Sequence, residues 1–269
     1  MKLSKSITQN YFISRIIEIF IRSHPLIYVI SKKILSYTSI FEDDMKGIQF
    51  IKFKKKYINY IDVGASDGIS VRYFNKFINF NKIICFEPNL IFRKKLDQIK
   101  SNKIKIHYYG LSNRNQNLKL YVPVYKIFNF EFYLHTYLFY KKSDLVQQIN
   151  LDFVFKKNLT IRVVDYYLKK PKIKKNFKSD LIKIDVNGHE LEVIKSLKHI
   201  IFSNCPVIIV ERGKHIKKIS NILKKKNYHK YAFNILTNTF EKNPKNIPLS
   251  YYFLTENYLN LPKHLLIKK

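Results

Sequence analysis

Residues 60–68 read YIDVGASDG, and this stretch decides the fold of the chain. The apolar run before the glycines predicts a buried strand, and Gly64 and Gly68 predict a turn that leads into a helix. Small residues let the backbone approach a ligand closely, and the first turn of the helix offers unpaired backbone N–H groups. The pattern is no dinucleotide-binding fingerprint, because Ser66 replaces the second glycine, and no P-loop, because no Gly-Lys-Ser/Thr follows. Asp62 at the strand end suits a cationic ligand better than a pyrophosphate.

Short strands and helices alternate on both sides of this turn. Such alternation is typical of βαβ units and predicts an α/β fold with a mostly parallel sheet. Residues 117–165 interrupt it with β-like runs around an aromatic segment, and they predict an inserted β-hairpin and cap. The predicted strands cover residues 57–63, 82–86, 104–108, 118–124, 160–164, 180–186, 206–211, 231–235 and 250–254, and the predicted helices cover residues 70–80, 90–99, 189–201 and 216–225.

A second motif, CFEPN at residues 85–89, follows the glycine turn and places Glu87 at the tip of the next strand. A carboxylate about 20 positions after such a turn can accept hydrogen bonds from both hydroxyls of a ribose. The alternative is an acidic side chain that only favours the N-terminus of the following helix. The spacing from the first motif favours the ribose role.

A third motif, LIKIDVNGHELE at residues 181–192, brings Asp185 to the end of a buried strand. Ligands of open α/β sheets bind at this carboxyl edge. Asn187, His189 and Glu190 follow at the start of a helix, where capping of the helix or exposure to solvent is the alternative to a catalytic role. Histidine titrates near neutral pH, so Asp185, His189 and Glu190 are the candidates for a general base.

Together and in this order, the three motifs resemble those of the FkbM-type family of S-adenosylmethionine-dependent methyltransferases. That family has an Asp-x-Gly-Ala-x-x-Gly turn, a Phe-Glu-Pro strand end and an Ile-Lys-Ile-Asp-Val-Glu-Gly-x-Glu segment. Three weaker matches support it: Gly110-Leu111-Ser112 stands for an Ala-Leu-Ser segment, Val164-Asp165 for a Leu-Asp pair, and Glu211 for a strand-end glutamate. The resemblance covers residues 57–212.

The resemblance implies a class I methyltransferase (Rossmann-like) fold, the cofactor S-adenosylmethionine, and methyl transfer to a hydroxyl of a sugar or natural product. It implies catalytic roles for Asp185, His189 and Glu190. The family's glutamate is Asn187 here, a neutral amide, which weakens the case for acid–base chemistry and a divalent metal at that position, and no metal site is expected. The cofactor-binding residues that it implies are Asp62, Gly64, Ala65, Gly68, Glu87, Gly110, Leu111 and Ser112.

The chain carries 50 basic and 19 acidic residues, a formal net charge of +31. Such an excess indicates an anionic partner, either nucleic acid or a membrane surface. Only seven of the basic residues are arginine, the side chain best suited to bidentate phosphate recognition, and lysine alongside much Ile, Asn, Tyr and Phe is typical of an AT-rich genome. Because the motif positions are neutral or acidic, the lysines are expected on the outer surface. There they favour a peripheral contact with an anionic membrane over nucleic acid.

The predicted organisation is an N-terminal helical extension over residues 1–47 and a methyltransferase domain over residues 48–269. No run reaches the roughly 18–20 apolar residues of a spanning helix, and no secretory signal is visible, so a cytoplasmic protein is expected, with peripheral membrane contact left open. In the inserted segment, Tyr133, His135 and Tyr137 either stack on a sugar acceptor or belong to the core.

Three functions stay open at this point. The first, which the motifs favour, is a methyltransferase for hydroxyls of a glycan or small molecule, as in glycan biosynthesis. The second is a nucleic-acid methyltransferase, suggested by the charge. The third is a non-catalytic relative that binds the cofactor, suggested by Asn187. The acceptor and the oligomeric state cannot be predicted from the sequence.

Overall fold

The computed structural model describes residues 24–28, 30–31, 43–135, 137–174, 176–242, 244, 248–258 and 266–267. The chain divides into two compact units. Residues 1–40 and 118–165 form the first unit, and residues 41–117 and 166–269 form the second. Most of the predicted N-terminal extension lies outside the described residues, although residues 25–28 and 30–31 are helical.

The second unit is built on a nine-stranded sheet with the order β13-β11-β10-β12-β9-β8-β1-β2-β3. Strands β1, β2, β3, β8 and β9 are parallel to one another, and β12 runs antiparallel between β9 and β10. The expectation of an α/β fold with a mostly parallel sheet is therefore confirmed. The strands are β1 (Ile58–Val63), β2 (Phe80–Phe86), β3 (Ile104–His107), β8 (Leu181–Ile184), β9 (Val207–Glu211), β10 (His229–Asn234), β11 (Thr239–Glu241), β12 (Ser250–Leu254) and β13 (Leu266–Ile267).

The central strands are apolar almost throughout, because helices and loops cover both faces of the sheet. One face holds a core around Tyr60, Phe74 and Tyr252, and the other holds a core around Ile61 and Phe253. Two charged side chains, Asp62 in β1 and Lys183 in β8, interrupt this apolar pattern and are fully or almost fully buried. Charged groups are rarely buried without a partner, so these two residues draw attention to the carboxyl ends of β1 and β8.

The helices of the second unit lie between these strands and are short. They are α1 (Ile69–Phe74), α2 (Arg93–Ile99), α4 (Glu190–Ser196), α5 (Lys198–Asn204) and α6 (Ile216–Lys224), with α3 in the first unit, and 3-10 turns cover Asp43–Phe50, Leu90–Phe92 and Glu256–Tyr258. The single helix predicted over residues 189–201 is instead two helices that meet at Leu197. The Ser196 hydroxyl donates to the carbonyl of Val193 at 2.7 Å, a local bond that competes with the regular helical pattern.

The first unit contains an antiparallel hairpin of β5 (Gln116–Ile127) and β6 (Phe130–Tyr133), the strand β7 (Leu159–Lys169) beside β5, and the helix α3 (Lys142–Asp152). Its core is aromatic, with Tyr28, Tyr137 and Phe153 packed edge to face or tilted. The two β-like runs predicted for the insert, residues 118–124 and 160–164, lie in β5 and β7, whereas β6 and α3 were not predicted. Only Leu145 and Ile149 of this helix are buried, so its sequence carries almost no helical periodicity.

Among the described residues, no helix has the length and apolar character needed to cross a bilayer.

Candidate active site

The glycine turn after β1 packs directly against the ends of β2 and β8. Gly64 has φ +80°, and a Cβ built on it would lie 1.8 Å from the backbone oxygen of Asp185. The N–H groups of Gly64 and Ala65 both donate to the carbonyl of Phe86, at 2.9 and 3.2 Å. Gly68 also has φ +80°, and a Cβ there would meet the Ile99 side chain. Only glycine fits at Gly64, because both its φ angle and its contact with the β8 backbone exclude a side chain.

Glu87 follows β2 as predicted, and its carboxylate is buried beside the glycine turn. One oxygen accepts the backbone N–H of Ser66 and the other accepts that of Asn89, each at 2.8 Å. These bonds orient the carboxylate, and each oxygen keeps a further lone pair for a ligand hydroxyl. Burial raises the pKa of Glu87 to about 7, against the opposing effect of the two N–H bonds.

Tyr166, in the part of β7 that belongs to the second unit, is a neighbour of Glu87 that the sequence did not reveal. Its side chain is buried, and burial together with the Glu87 carboxylate raises its pKa. No motif marks this position, because its strand lies in the segment where the helix–strand alternation breaks down. The signal that could have found it is the Val164-Asp165 pair, which directly precedes it.

Asp62 and Lys183, both buried, form a charge cluster with the partly exposed Asp185 at the carboxyl ends of β1 and β8. The ammonium of Lys183 lies 3.2 Å from Asp185 Oδ2 and 3.8 Å from Asp62 Oδ1. Asp62 is fully buried, accepts the hydroxyl of Ser70 through Oδ2, and has no hydrogen bond to Oδ1 from the described residues. Burial raises the pKa of Asp62, and Lys183 opposes the shift. Sequence analysis singled out both aspartates but missed Lys183 as the cation between them.

The two predicted catalytic residues after Asp185 differ in their surroundings, and the first to consider is Glu190. Its side chain is 1% exposed, and Oε1 accepts the N–H of Gly188 at 2.6 Å. Oε2 accepts no hydrogen bond from the described residues, and a Cβ built on Gly213 would lie 3.0 Å from it. Burial raises the pKa of Glu190. Through its bond to Gly188, the Glu190 carboxyl group stabilises the loop that precedes α4.

Asn187, by contrast, is exposed and adopts φ 51°, and Gly188 after it has φ 101°. Asparagine tolerates this left-handed conformation better than most residues, which gives a structural reason for an amide at this position.

His189 is half-buried and faces Ser112. The two side chains are joined by a hydrogen bond of 3.0 Å between Nε2 and Oγ. Ser112 is buried, and its N–H donates to the carbonyl of Lys169 at 3.0 Å. Burial lowers the pKa of His189, so the imidazole is neutral at pH 7. Neutral imidazole can accept a proton, as a general base must.

The remaining predicted cofactor residues, Gly110 and Leu111, form the two-residue strand β4 and are buried. Gly110 pairs in parallel with Leu168, and a Cβ on this glycine would lie 2.4 Å from the Leu168 side chain. The structure therefore explains Gly110 by packing against β7.

The aromatic residues of the inserted segment lie in the first unit. Tyr137 is buried in the core of this unit, and its hydroxyl donates to Asp152 at 2.8 Å. Of the two roles considered from the sequence, stacking on a sugar or packing in the core, Tyr137 has the second. Tyr133 and His135 stack on each other, with ring centroids 5.4 Å apart. No group of three or more His, Cys, Asp or Glu side chains suited to a metal ion occurs among the described residues.

The methyltransferase FkbM domain profile matches residues 62–236, which is more than half of the chain. The chain belongs to the FkbM methyltransferase family. The family predicted from the three motifs is confirmed, and the described strands form the mostly parallel sheet of an α/β fold that was expected with it. The matched region contains every residue from Asp62 to Glu190 that the sequence predicted for the site.

Several solved structures resemble the chain in fold at low sequence identity. The FkbM methyltransferase from Methylobacillus flagellatus KT is 15% identical, with a TM-score of 0.46, and the match covers 77% of this chain but 47% of that one. This chain thus spans about half the length of that protein. Precorrin-6y C5,15-methyltransferase from Geobacter metallireducens is 10% identical, with a TM-score of 0.37 and coverage of 77% and 83%.

A caffeoyl-CoA O-methyltransferase homologue from Staphylococcus aureus is 11% identical, with a TM-score of 0.32 and 78% coverage of both chains. Comparison with curated protein sequences gave no match.

Proposed function

We propose that this FkbM-family protein uses S-adenosylmethionine to methylate a hydroxyl group, with a sugar in a glycan or small molecule as the acceptor. The observation that carries the proposal is the Glu87 carboxylate, buried and oriented by the N–H groups of Ser66 and Asn89. A carboxylate at this strand end, with lone pairs left for two hydroxyls, suits the ribose of a nucleoside cofactor.

The residues present fit such a cofactor. Gly64 brings the turn after β1 directly against the backbone of Asp185, and the N–H of Ser66 in the same turn donates to Glu87, so the predicted site residues lie side by side. Asp62 Oδ1 lies 3.8 Å from the Lys183 ammonium and accepts no hydrogen bond from the described residues, so it can still accept one from a cationic group. In this proposal Glu87 holds the ribose, and Asp62 and Asp185 face the amino-acid end. The cofactor supplies a methyl group on a positively charged sulfur.

His189 is the better candidate for the base than Glu190. Its imidazole is neutral at pH 7 and half-buried, whereas Glu190 is enclosed and bonded to Gly188. Methyl transfer requires alignment and exclusion of water more than a strong acid, so one base within hydrogen-bond reach of the acceptor hydroxyl is sufficient. Asp185, with its carboxylate paired to Lys183, is assigned to cofactor binding and positioning.

Calorimetric titration with S-adenosylmethionine tests the cofactor. Glu87→Gln should weaken binding by roughly 10-fold, because one acceptor of a charge-assisted hydrogen bond is lost. Glu192→Gln, the same change at a helix surface pair with Lys195, should leave the affinity unchanged. Equal affinity of wild type and Glu87→Gln would refute the ribose assignment.

Methyl transfer is then measured with radiolabelled cofactor on glycan fractions, free sugars and random RNA. Transfer to a sugar fraction that His189→Asn abolishes supports the proposal. Transfer to RNA alone would identify nucleic acid, and not a sugar, as the acceptor. Cofactor binding without transfer to any of them, in wild type and in Asn187→Glu, would support the non-catalytic alternative.

A further inference from the structure

The first unit carries an apolar surface, which we call the apolar tip, formed by Phe128, Phe130, Val154 and Phe155. These side chains are 96%, 69%, 74% and 61% exposed. Large apolar side chains are ordinarily scattered singly on a surface, and a cluster of four indicates an interaction site.

The four residues come from two loops that are held side by side. Ile127 pairs with Phe130 across the hairpin, so Phe128 and Asn129 form its two-residue turn. The backbone N–H of Lys126 donates to the carbonyl of Asn158 at 2.9 Å, which joins the hairpin end to the loop of residues 153–158. The hairpin end and the loop of residues 153–158 are therefore neighbours in the first unit, and both present exposed apolar side chains.

Phe128 adopts φ 49° at the first central position of this turn. Two-residue hairpin turns of this kind favour Asn, Asp or Gly there, because a bulky side chain is strained in the left-handed region. An aromatic residue in a strained and fully exposed position contributes nothing to the packing of the unit. Such an outlier points to a role outside the fold.

Basic side chains surround the apolar tip. Lys126 and Arg162 share one acidic partner, Glu131, at 2.9 and 3.0 Å. Lys156 and Lys157 are exposed next to Phe155. Residues 126–131 and 153–162 contain four basic residues and one acidic residue, so the tip and its rim carry net positive charge.

We propose that the apolar tip inserts into the interfacial region of an anionic bilayer, with the surrounding lysines on the lipid headgroups. Projecting aromatic residues with lysines beside them are the arrangement that binds such an interface. A lipid surface is favoured over an acidic protein because the apolar residues project from loops and form no groove. The excess of lysine over arginine agrees with headgroup attraction without specific bidentate contacts. The proposal does not depend on the proposed enzymatic function.

Insertion can be followed directly, because the chain contains no tryptophan. Phe128→Trp places a single tryptophan at the tip, which can be excited selectively over the tyrosines. Its emission should shift to the blue when vesicles of phosphatidylcholine with about 30% phosphatidylglycerol are added, a composition of roughly physiological anionic charge. Phe77→Trp is the matched control, at a 46% exposed phenylalanine in the second unit, and its emission should not change.

Vesicle co-sedimentation of the full chain measures the contribution of the tip. Phe128→Asn/Phe130→Thr should weaken binding by roughly 10-fold or more, because two rings no longer leave water, and both new residues suit their turn and strand positions. Lys156→Gln/Lys157→Gln should weaken binding more than Lys217→Gln/Lys218→Gln, which removes the same charge from α6. Neutral vesicles should bind poorly.

Two results would overturn the proposal. One is a wild-type chain that does not bind anionic vesicles. The other is unchanged binding of Phe128→Asn/Phe130→Thr together with no blue shift of Phe128→Trp, which would assign binding to the overall charge or to residues outside the tip.

Discussion

Replacing Lys183 by methionine should destabilise the protein strongly, because this ammonium is the cation between two carboxylates at the carboxyl ends of β1 and β8. Its side chain is 3% exposed, and it lies 3.2 Å from Asp185 and 3.8 Å from Asp62. Methionine fills a similar volume but removes the cation that lies 3.8 Å from the fully buried Asp62, and the Ser70 hydroxyl that donates to this carboxylate carries no charge. Removing one partner of a buried ion pair costs about 3–5 kcal/mol, so we expect a loss of this size at pH 7.5.

The loss should depend on pH, with a definite sign. Burial already raises the pKa of Asp62 in the folded protein, and Lys183 opposes that shift. In Lys183→Met the opposing effect is gone, so the folded protein binds the Asp62 proton still more tightly than the unfolded chain does. A carboxyl with a raised folded pKa favours folding below its unfolded pKa of about 3.9, and this contribution is lost as pH rises through the folded pKa. The destabilisation should therefore be small near pH 4.5 and large at pH 7.5.

Urea unfolding followed by circular dichroism at both pH values measures the effect. Lys55→Met is the matched control, since Lys55 pairs with Asp180 at 2.6 Å but is 53% exposed, and an exposed pair contributes less than about 1 kcal/mol. Lys183→Met/Asp62→Asn should recover most of the loss, because no unpaired buried charge is left in Asp62. The reasoning is refuted if Lys183→Met costs no more than Lys55→Met, or if its cost is the same at both pH values.

Three further predictions concern the site. The affinity for S-adenosylmethionine should rise between about pH 6 and pH 8, a range centred on the Glu87 pKa of about 7, because the ionised carboxylate accepts the ribose hydroxyls. Calorimetry at several pH values should show that the affinity of Glu87→Gln no longer depends on pH in this range. Gly64→Ala should lower the free energy of unfolding by at least about 2 kcal/mol, because the new Cβ would lie 1.8 Å from the backbone oxygen of Asp185. Ser66→Gly should not destabilise the protein in the same denaturation assay, because Ser66 has φ 49°, a conformation that glycine adopts without strain. The rate of methyl transfer should fall in acidic solution with a midpoint below the ordinary histidine pKa of about 6.5, because burial lowers the pKa of His189. A midpoint above about 6.5 would exclude this imidazole as the base.

Much of the second unit could be predicted because its strands are local apolar runs with clear ends. The strand predicted over residues 250–254 is β12 itself, and the one predicted over residues 206–211 is β9 within one residue. The three motifs also follow β1, β2 and β8, because each strand of a βαβ unit brings its last residues to one sheet edge. The register Asp62↔Lys183 between β1 and β8 follows from this parallel pairing.

What escaped prediction depends on contacts between distant parts of the chain. The burial of Tyr166 beside Glu87 brings together a residue of β7 and the residue that follows β2, and no local sequence pattern records this contact. The ion pairs of Lys183 were hidden because a lysine in a strand is ordinarily read as a solvent-facing residue. Glu190 was assigned to catalysis from its motif position, whereas its enclosure beside Gly188 and Gly213 is visible only in the folded chain. That assignment stays a prediction, and the geometry favours His189.

The charge of the site has the opposite sign to the charge of the whole chain, and this contrast bears on the ligand. The candidate site contains the carboxylates of Asp62, Glu87 and Asp185, and the ammonium of Lys183 pairs with the two aspartates, whereas the whole chain carries +31. Surface charges are screened over about 8 Å at physiological ionic strength, so the exposed lysines act weakly on buried groups. The raised pKa values of Asp62 and Glu87 show that their negative charge is unfavourable in the free protein. A cation bound there would lower both pKa values and an anion would raise them, so these shifts support the proposed cationic cofactor over an anionic ligand at this site.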